Sequence, residues 1–484
     1  MGAVEPPRRV RTALNAPAPS PGGAGPDVEV ALYEVRRKIY PRAVSGWFAG
    51  WRWAMVWLTQ LVFYGLPWLH WGNRPAVLFD LEARRFYLFG AVLYPQDFIY
   101  LTGLLVISAL GLFLFTAVAG RLWCGYACPQ TVYTEIFMWI ERHIEGDRAQ
   151  RMKLDRAPMS ASKFARKAAK HLLWVAVALW TGISFVGYFT PIRELLGDLL
   201  TLSTGPWQTF WVLFYGFATW GNAGFMREQV CKYMCPYARF QSAMFDKDTM
   251  IITYDPGRGE PRGARSRKAD PKALGLGDCV DCEICVHVCP TGIDIRKGLQ
   301  YECIGCAACI DGCNQVMDRM GYPRGLIRYT TENALAMKLD RRAILRRVLR
   351  PRVLVYSAIL LAVTVALFGH LALRAPIKAD VIRDSALGRE VEEGMIENGY
   401  RLQIINPSEQ PRRFVVTVSG IDTIFVAGES QFEVGPAGVR MVPVAVRVKP
   451  GHGNPGSNKV SFHVQAVDDA AVAADARSTF FVPR

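Results

Sequence analysis

Residues 98–118 read FIYLTGLLVISALGLFLFTAV, 21 residues without a charge. A helix of about 20 apolar residues crosses the hydrocarbon core of a bilayer. Four further runs are of similar length and character: 44–66, 171–190, 206–225 and 353–373. Arg52 lies near one end of the first run, where its stem can lie among apolar neighbours while its guanidinium reaches the interface. A single soluble core does not account for five such runs. The expectation is a multi-domain membrane protein with five transmembrane α-helices, and a length of 484 residues leaves room for roughly two further domains.

The net charge of +15 is distributed unevenly. Arg36, Arg37, Lys38 and Arg42 precede the first run. Arg142, Arg148, Arg151, Lys153, Arg156, Lys163, Arg166, Lys167 and Lys170 fill the loop after the second, and RRAILRRVLRPR (341–352) precedes the fifth. Residues 191–205 hold only Arg193. Positive loops stay in the cytoplasm. That places residues 1–43, the loop 119–170 and the segment 227–351 inside, and residues 374–484 outside. The basic balance is thereby explained by topology, and a nucleic-acid partner is not needed. Residues 1–26 are rich in Pro, Ala and Gly and lack an apolar signal core, so they read as a disordered tail.

Beyond 374 the pattern changes to short Val, Phe and Ile runs with period-two alternation: YRLQIINPS, RRFVVTVSG, DTIFVAG, VRMVPVAVRVK, KVSFHVQAV and STFFVP. About seven strands in roughly 100 residues predict an all-β immunoglobulin-like sandwich. With no cysteine beyond Cys313, it would lack an inter-sheet disulfide. No His, Cys or carboxylate cluster stands out there, so a docking role fits better than a ligand site.

Eight of the twelve cysteines fall in one segment. CVDCEICVHVCP (279–290) and CIGCAACIDGCN (303–314) both have the spacing Cys-x2-Cys-x2-Cys-x3-Cys. This is the two-cluster bacterial ferredoxin pattern. Three closely spaced thiolates wrap three corners of a 4Fe–4S cube, and the fourth comes from the other run. Cys279, Cys282, Cys285 and Cys313 are expected at one cluster, and Cys303, Cys306, Cys309 and Cys289 at the other. Structural zinc also uses Cys-x2-Cys pairs but has no need of a third cysteine at the same step. His287 is surplus to both sets. A two-cluster fold at about 270–325 is an electron relay, and implies a donor and an acceptor.

The remaining four cysteines sit in CGYACPQ (124–130) and CKYMCPY (231–237), each at the cytoplasmic end of an apolar run. The repeated Cys-x-Tyr-x-Cys-Pro marks a weak internal repeat of two helical hairpins. Two thiols four apart share a helix face, but Pro129 and Pro236 disfavour helical backbone at Cys128 and Cys235. Four readings stay open: free buried thiols, a third iron–sulfur site, a redox-active thiol pair, and capture of copper, since soft thiolates select Cu(I).

Longer blocks carry a resemblance. CGYACPQTVYTEIFMWIE, REQVCKYMCPYARFQSAMFDKDT, CPTGIDIRKGLQYECIGC and MGYPRGLIRYTTEN are similar to cytochrome c oxidase accessory proteins of the CcoG/FixG/RdxA type, as are IYPRAVSG near the start and NGYRLQIINPS near the end. The resemblance covers nearly the whole chain after about residue 30. It implies a protein of the bacterial inner membrane that assists assembly of the cbb(3)-type oxidase, reducing Cu(II) to Cu(I) for its copper centre. It also implies two 4Fe–4S clusters on the eight cysteines above and a periplasmic immunoglobulin-like domain. Cys124, Cys128, Cys231 and Cys235 become candidates for copper or thiol chemistry. The expected partners are membrane lipid, the oxidase or its copper-delivery proteins, and a cytoplasmic electron donor. Two other functions fit the same parts: a quinol-linked membrane polyferredoxin, and a non-catalytic assembly scaffold.

Overall fold

Pro95–Ala119, Ala161–Val186 and Pro351–Ala372 are helices of 25, 26 and 22 residues, each long and apolar enough to cross a membrane. They belong to a computed structural model that describes residues 38–271, 273–375, 377–384 and 388–483. Most of the expected tail, residues 1–37, lies outside the described residues. The features below fall within the unit Tyr40–Arg484.

The other two apolar runs are helical but fall short of that standard. The run at 44–66 becomes Trp47–Gly65, a 19-residue helix in which tryptophans, Arg52 and Gln60 dilute the aliphatic content. The run at 206–225 is Pro206–Thr219, only 14 residues, and it passes at Trp220 into a π-helical stretch, Trp220–Met226. Gly221 and Gly224 fall where the helical ladder widens, and glycine is a weak helix former. Phe98–Ala119 packs along Pro351–Ala372, and Ala161–Val186 along Pro206–Thr219. In the first pair only 6% of each apolar window is buried, against 39% for Ala161–Val186. The first pair therefore turns nearly all its apolar surface outward, as lipid-facing helices do.

At one end of the helices lies the C-terminal sandwich. One sheet orders Phe425–Ala427, Val439–Val448, Ile396–Ile405 and Lys378–Arg383, with Arg389–Glu390 beside Ile396–Ile405. The other orders Gln431–Val434, Arg412–Ser419, Gly456–Ala466 and Ala473–Val482, and all pairs are antiparallel. Alternate residues such as Phe414 and Val416, Phe462 and Val464, and Val442, Val444 and Val446 fill the space between the sheets. The alternation seen in the sequence is thus the inward face.

The stretch 67–97 is more structured than a plain loop, and sequence reasoning missed this. Val77–Asp80, Arg85–Leu88 and Ala91–Leu93 form a small antiparallel sheet. Its Leu78, Tyr87, Val92 and Tyr94 pack against Ile405 and Ala437 of the sandwich. Arg74 pairs with Glu409 at 2.5 Å. Asp97, just before the helix Phe98–Ala119, is buried and accepts from Arg374 (2.7 Å) and from Lys378 at the start of the sandwich.

At the other end sits the cysteine-rich segment. Ile251–Tyr254 pairs antiparallel with Ile327–Thr330, and this ribbon brackets residues 279–313. Asp311, on the helix Ala308–Met320, is buried and accepts from the backbone N–H groups of Phe48 (3.3 Å) and Ala49 (2.7 Å). It therefore caps the first helix from outside its own chain segment, satisfying amides that a helix N-terminus leaves unpaired.

Candidate redox site: eight cysteines and four membrane-edge thiols

The two cysteine runs fold into the same loop. In each, the residue before the second cysteine and the residue two before the third have positive φ: Asp281 (50°) and Glu283 (54°) in one, Gly305 (70°) and Ala307 (58°) in the other. Such left-handed turns curl the backbone so that successive amides face inward, a concavity suited to an anionic group. Each loop then leads into a helix, Ile284–His287 or Ala308–Met320.

Each loop closes over a cavity. One, of about 340 Å³, is lined by Cys279, Cys282, Cys285 and Cys313 with Tyr254 and Ile284. The other, of about 330 Å³, is lined by Cys289, Cys303, Cys306 and Cys309, with Ile252, Ile293, Ile295 and Ile304 and the edge of Cys285. The structure thus brings together the cysteines that sequence spacing grouped, including the crossover of Cys313 and Cys289. Among the described residues, no three His, Cys, Asp or Glu side chains are placed to hold a single metal ion. Tetrahedral zinc, with Zn–S bonds near 2.3 Å, needs thiolates only about 3.8 Å apart. Four thiols spread round an apolar cavity fit a cube with a ligand at each corner instead.

The two cavities differ in exposure. Cys282 is exposed, so the first opens to solvent. The second faces inward: Ile304 and Cys306 are buried in a cluster against which Cys124 and Cys231 pack. His287 takes no place in either lining.

The membrane-edge thiols gather at this inner face. Cys124 lies in the short helix Leu122–Tyr126, and its thiol donates to buried Gln241 at 3.3 Å. Cys128 leaves the helical region (φ −62°, ψ 127°) and caps the helix Pro129–Glu145. Cys231 sits in a second π-helical turn, Val230–Met234, and Cys235 (φ −84°, ψ 107°) caps Pro236–Met244. Both prolines therefore break the shared helix face, and each begins a new helix. Burial and the neighbouring Cys128 push the Cys124 thiol up to about 11. Burial, then Cys128, Cys124 and Cys235, push Cys231 up to about 12. Each thiol thus feels thiols of the other motif. The two motifs, a hundred residues apart, meet.

Arg121 holds this arrangement and was missed from sequence. It is buried, and it donates to the carbonyls of Tyr301, Cys303 (3.3 Å) and Ala238 and to Ser242 Oγ (3.1 Å). One guanidinium thereby ties the first thiol motif to the second cysteine run and to the helix after the second motif. Its position just before CGYAC was the available signal, but it reads as an ordinary loop cation.

Comparison with known proteins follows the same division. A family model described as a 4Fe-4S dicluster domain matches residues 226–332. One described as a 4Fe-4S binding domain matches 101–145, where the cysteines are Cys124 and Cys128. A third, described as an IG-like fold at the C-terminal of FixG, matches 367–483. The nitrogen fixation protein FixG of Rhizobium meliloti is 41% identical over 433 residues, covering 82% of this chain and 83% of that protein. The chain belongs to the FixG/RdxA family. Protein RdxA of Cereibacter sphaeroides is 43% identical over 401 residues, 80% of this chain and 84% of that one. A solved FixG-related protein from Vibrio parahaemolyticus is 23% identical, covering 22% of this chain and 97% of its own, with a TM-score of 0.21. As a FixG/RdxA-type protein the chain carries ferredoxin-type iron–sulfur domains and apolar helices suited to a membrane.

Proposed function

We propose that this FixG/RdxA-type protein reduces Cu(II) to Cu(I) at the edge of the bacterial inner membrane, in support of cbb(3)-type oxidase assembly. Five helices span the bilayer, with the cysteine domain in the cytoplasm and the sandwich in the periplasm. Cys279, Cys282, Cys285 and Cys313 hold one 4Fe–4S cluster, and Cys303, Cys306, Cys309 and Cys289 the other. When bound, these clusters supply one-electron transfer.

The observation that carries the reading is the packing of Cys124 and Cys231 against the wall of the inner cavity, at Ile304 and Cys306. The exposed Cys282 offers the opposite side to a cytoplasmic electron donor. The chain's own part is to hold the metal between these faces. A pair of thiols drawn from Cys124, Cys128, Cys231 and Cys235 binds copper as thiolates and releases its protons on binding. Soft thiolates favour Cu(I) over Cu(II), so the ligand set itself favours the reduced product. Each Cu(II) takes up one electron.

EPR on anaerobically purified, reduced protein titrated with Cu(II) tests this. The cupric signal should disappear in the wild type and persist in a Cys124→Ser, Cys128→Ser variant. Wild-type loss of the signal in that variant would remove the thiols from the mechanism.

The match of a 4Fe-4S binding domain model to 101–145 favours a second reading, in which the four thiols hold a third iron–sulfur centre. Iron content separates the two, at about eight atoms per chain for two clusters and about twelve for three.

A further inference from the structure

Two cavities beside the inner cysteine loop are not accounted for by the iron–sulfur sites. The outer one, of about 560 Å³, lies between the start of the first helix, the helix Pro129–Glu145 and Pro290. The inner one, of about 400 Å³, shares Arg52, Glu135, Met138 and Pro290 with it and reaches Cys231. The two thus lie on either side of four shared wall residues, and the inner one is bounded by one of the four thiols.

The outer wall is cationic: it carries Arg42, Arg52, Arg142 and Arg151 against Glu135 and Asp147. Arg151 pairs with Glu141 at 2.8 Å and donates to the carbonyl of Pro41, although its Nε has no partner, and Asp147 accepts from the backbone of Ala43 at 3.1 Å. Arg42 and Arg142 are exposed, and their side chains make no hydrogen bond or ion pair among the described residues. Arg52 is buried like Arg151 but, unlike it, makes no side-chain hydrogen bond among the described residues. It is 7% exposed, its Nε has no partner, and its one ionic neighbour, Glu135, stands off at 3.6 Å. A buried guanidinium with unmade hydrogen bonds is costly unless a ligand completes it. Planar oxyanions are what its fork of donors fits.

A bare Cu(II) aqua ion is a dication and would be repelled by this wall. Further in, Met138 and Cys231 supply sulfur, and Glu135 and Glu228 supply carboxylates. We propose that Arg52, with Arg42 and Arg142, binds a small polycarboxylate, and that copper reaches Cys231 as the anionic chelate of such an acid. This rests on the copper reading above for its metal, but the anion site stands on the arginines alone.

The probe is citrate, whose Cu(II) complex is anionic at neutral pH, set against the neutral bis(glycinate) complex. Citrate without metal is titrated calorimetrically into the oxidised full-length protein in nanodiscs of neutral lipid. Arg142→Gln, at an exposed position, and Arg52→Gln should each weaken binding about tenfold. In the reduced protein, Arg142→Gln should slow reduction of the citrate complex at least fivefold more than that of the glycinate complex. This ratio cancels the difference in driving force between the chelates. Absence of citrate binding to the wild type, or wild-type affinity in both variants, overturns the proposal. Repeating the titration in nanodiscs of phosphatidylglycerol supplies the lipid arm: loss of citrate binding there also overturns the proposal and makes the cleft a lipid-headgroup site. Citrate binding as expected with neither complex reduced leaves the anion site in place and removes the copper reading.

Discussion

The backbones of Gly125 and Gly305 are in direct contact. A Cβ built on Gly125 would stand 2.8 Å from the carbonyl carbon and oxygen of Gly305 and 2.9 Å from Cys306 Cα. The first glycine lies inside the thiol motif CGYAC and the second inside the cysteine run CIGC. Nothing but hydrogen fits between them, and the neighbouring atoms are backbone that cannot swing aside. Gly125→Ala should therefore cost about 1–3 kcal/mol of stability as an overpacked contact. It should keep its iron and slow loss of the cupric EPR signal at least tenfold. Thermal unfolding in detergent and the Cu(II) titration check the two parts.

Cys124 and Cys231 pack on the inner cavity but do not line it. A Cys124→Ser, Cys231→Ser variant should retain about eight iron atoms per chain while losing most of its Cu(I) affinity. Iron analysis with a competitive Cu(I) chelator reads both. A fall of about four iron atoms would assign the thiols to a third cluster instead.

Asp311 joins the cysteine-rich body to the first helix through the amides of Phe48 and Ala49. Asp311→Ala should cost about 1–2 kcal/mol, as lost N-caps do. Hydrogen exchange at Phe48 and Ala49 should quicken, with little change in strands of the sandwich. Asp311→Asn, which keeps an acceptor, should recover part of the loss.

Glu397, buried in the sandwich, accepts from Arg389 (2.6 Å) and Arg447 (2.7 Å). Hydrogen bonding from Arg389, with that from Arg447, holds its carboxyl below the ordinary range. A depressed carboxyl contributes stability that is fully present above the unfolded value of about 4.3 and is lost as pH falls through the folded one. Exchange of the amides in Ile396–Ile405 should accelerate on acidification across that window. Glu397→Gln should be less stable at neutral pH and show a flatter acid limb.

The sequence made some of this legible and hid the rest for a physical reason. The spacing within 279–313 is short-range, so which cysteines line each cavity could be read directly, and so could the inward alternation of Phe462 and Val464. Pro129 and Pro236 announced the breaks at Cys128 and Cys235. The features that join the parts were not readable. Arg121 meets Cys303, Asp311 meets Ala49 and Gly125 meets Gly305, in each case across more than 170 residues. A lone arginine, aspartate or glycine carries no local pattern that foretells such a partner. The small sheet at 77–93 escaped because its strands are three or four residues long. The change of winding at Trp220 in the fourth apolar run escaped because composition does not register a shift from α to π.

Asp97 has a mechanical consequence. It fastens one end of Phe98–Ala119 to Arg374 and Lys378, at the root of the sandwich. Arg121 fastens the other end to the second cysteine run. Between them runs a 22-residue rod, about 33 Å long at 1.5 Å per residue. A tilt imposed on the sandwich is carried along this lever to the turn that holds Cys124. The root of the sandwich and the turn at Cys124 are thus two loads on one strut.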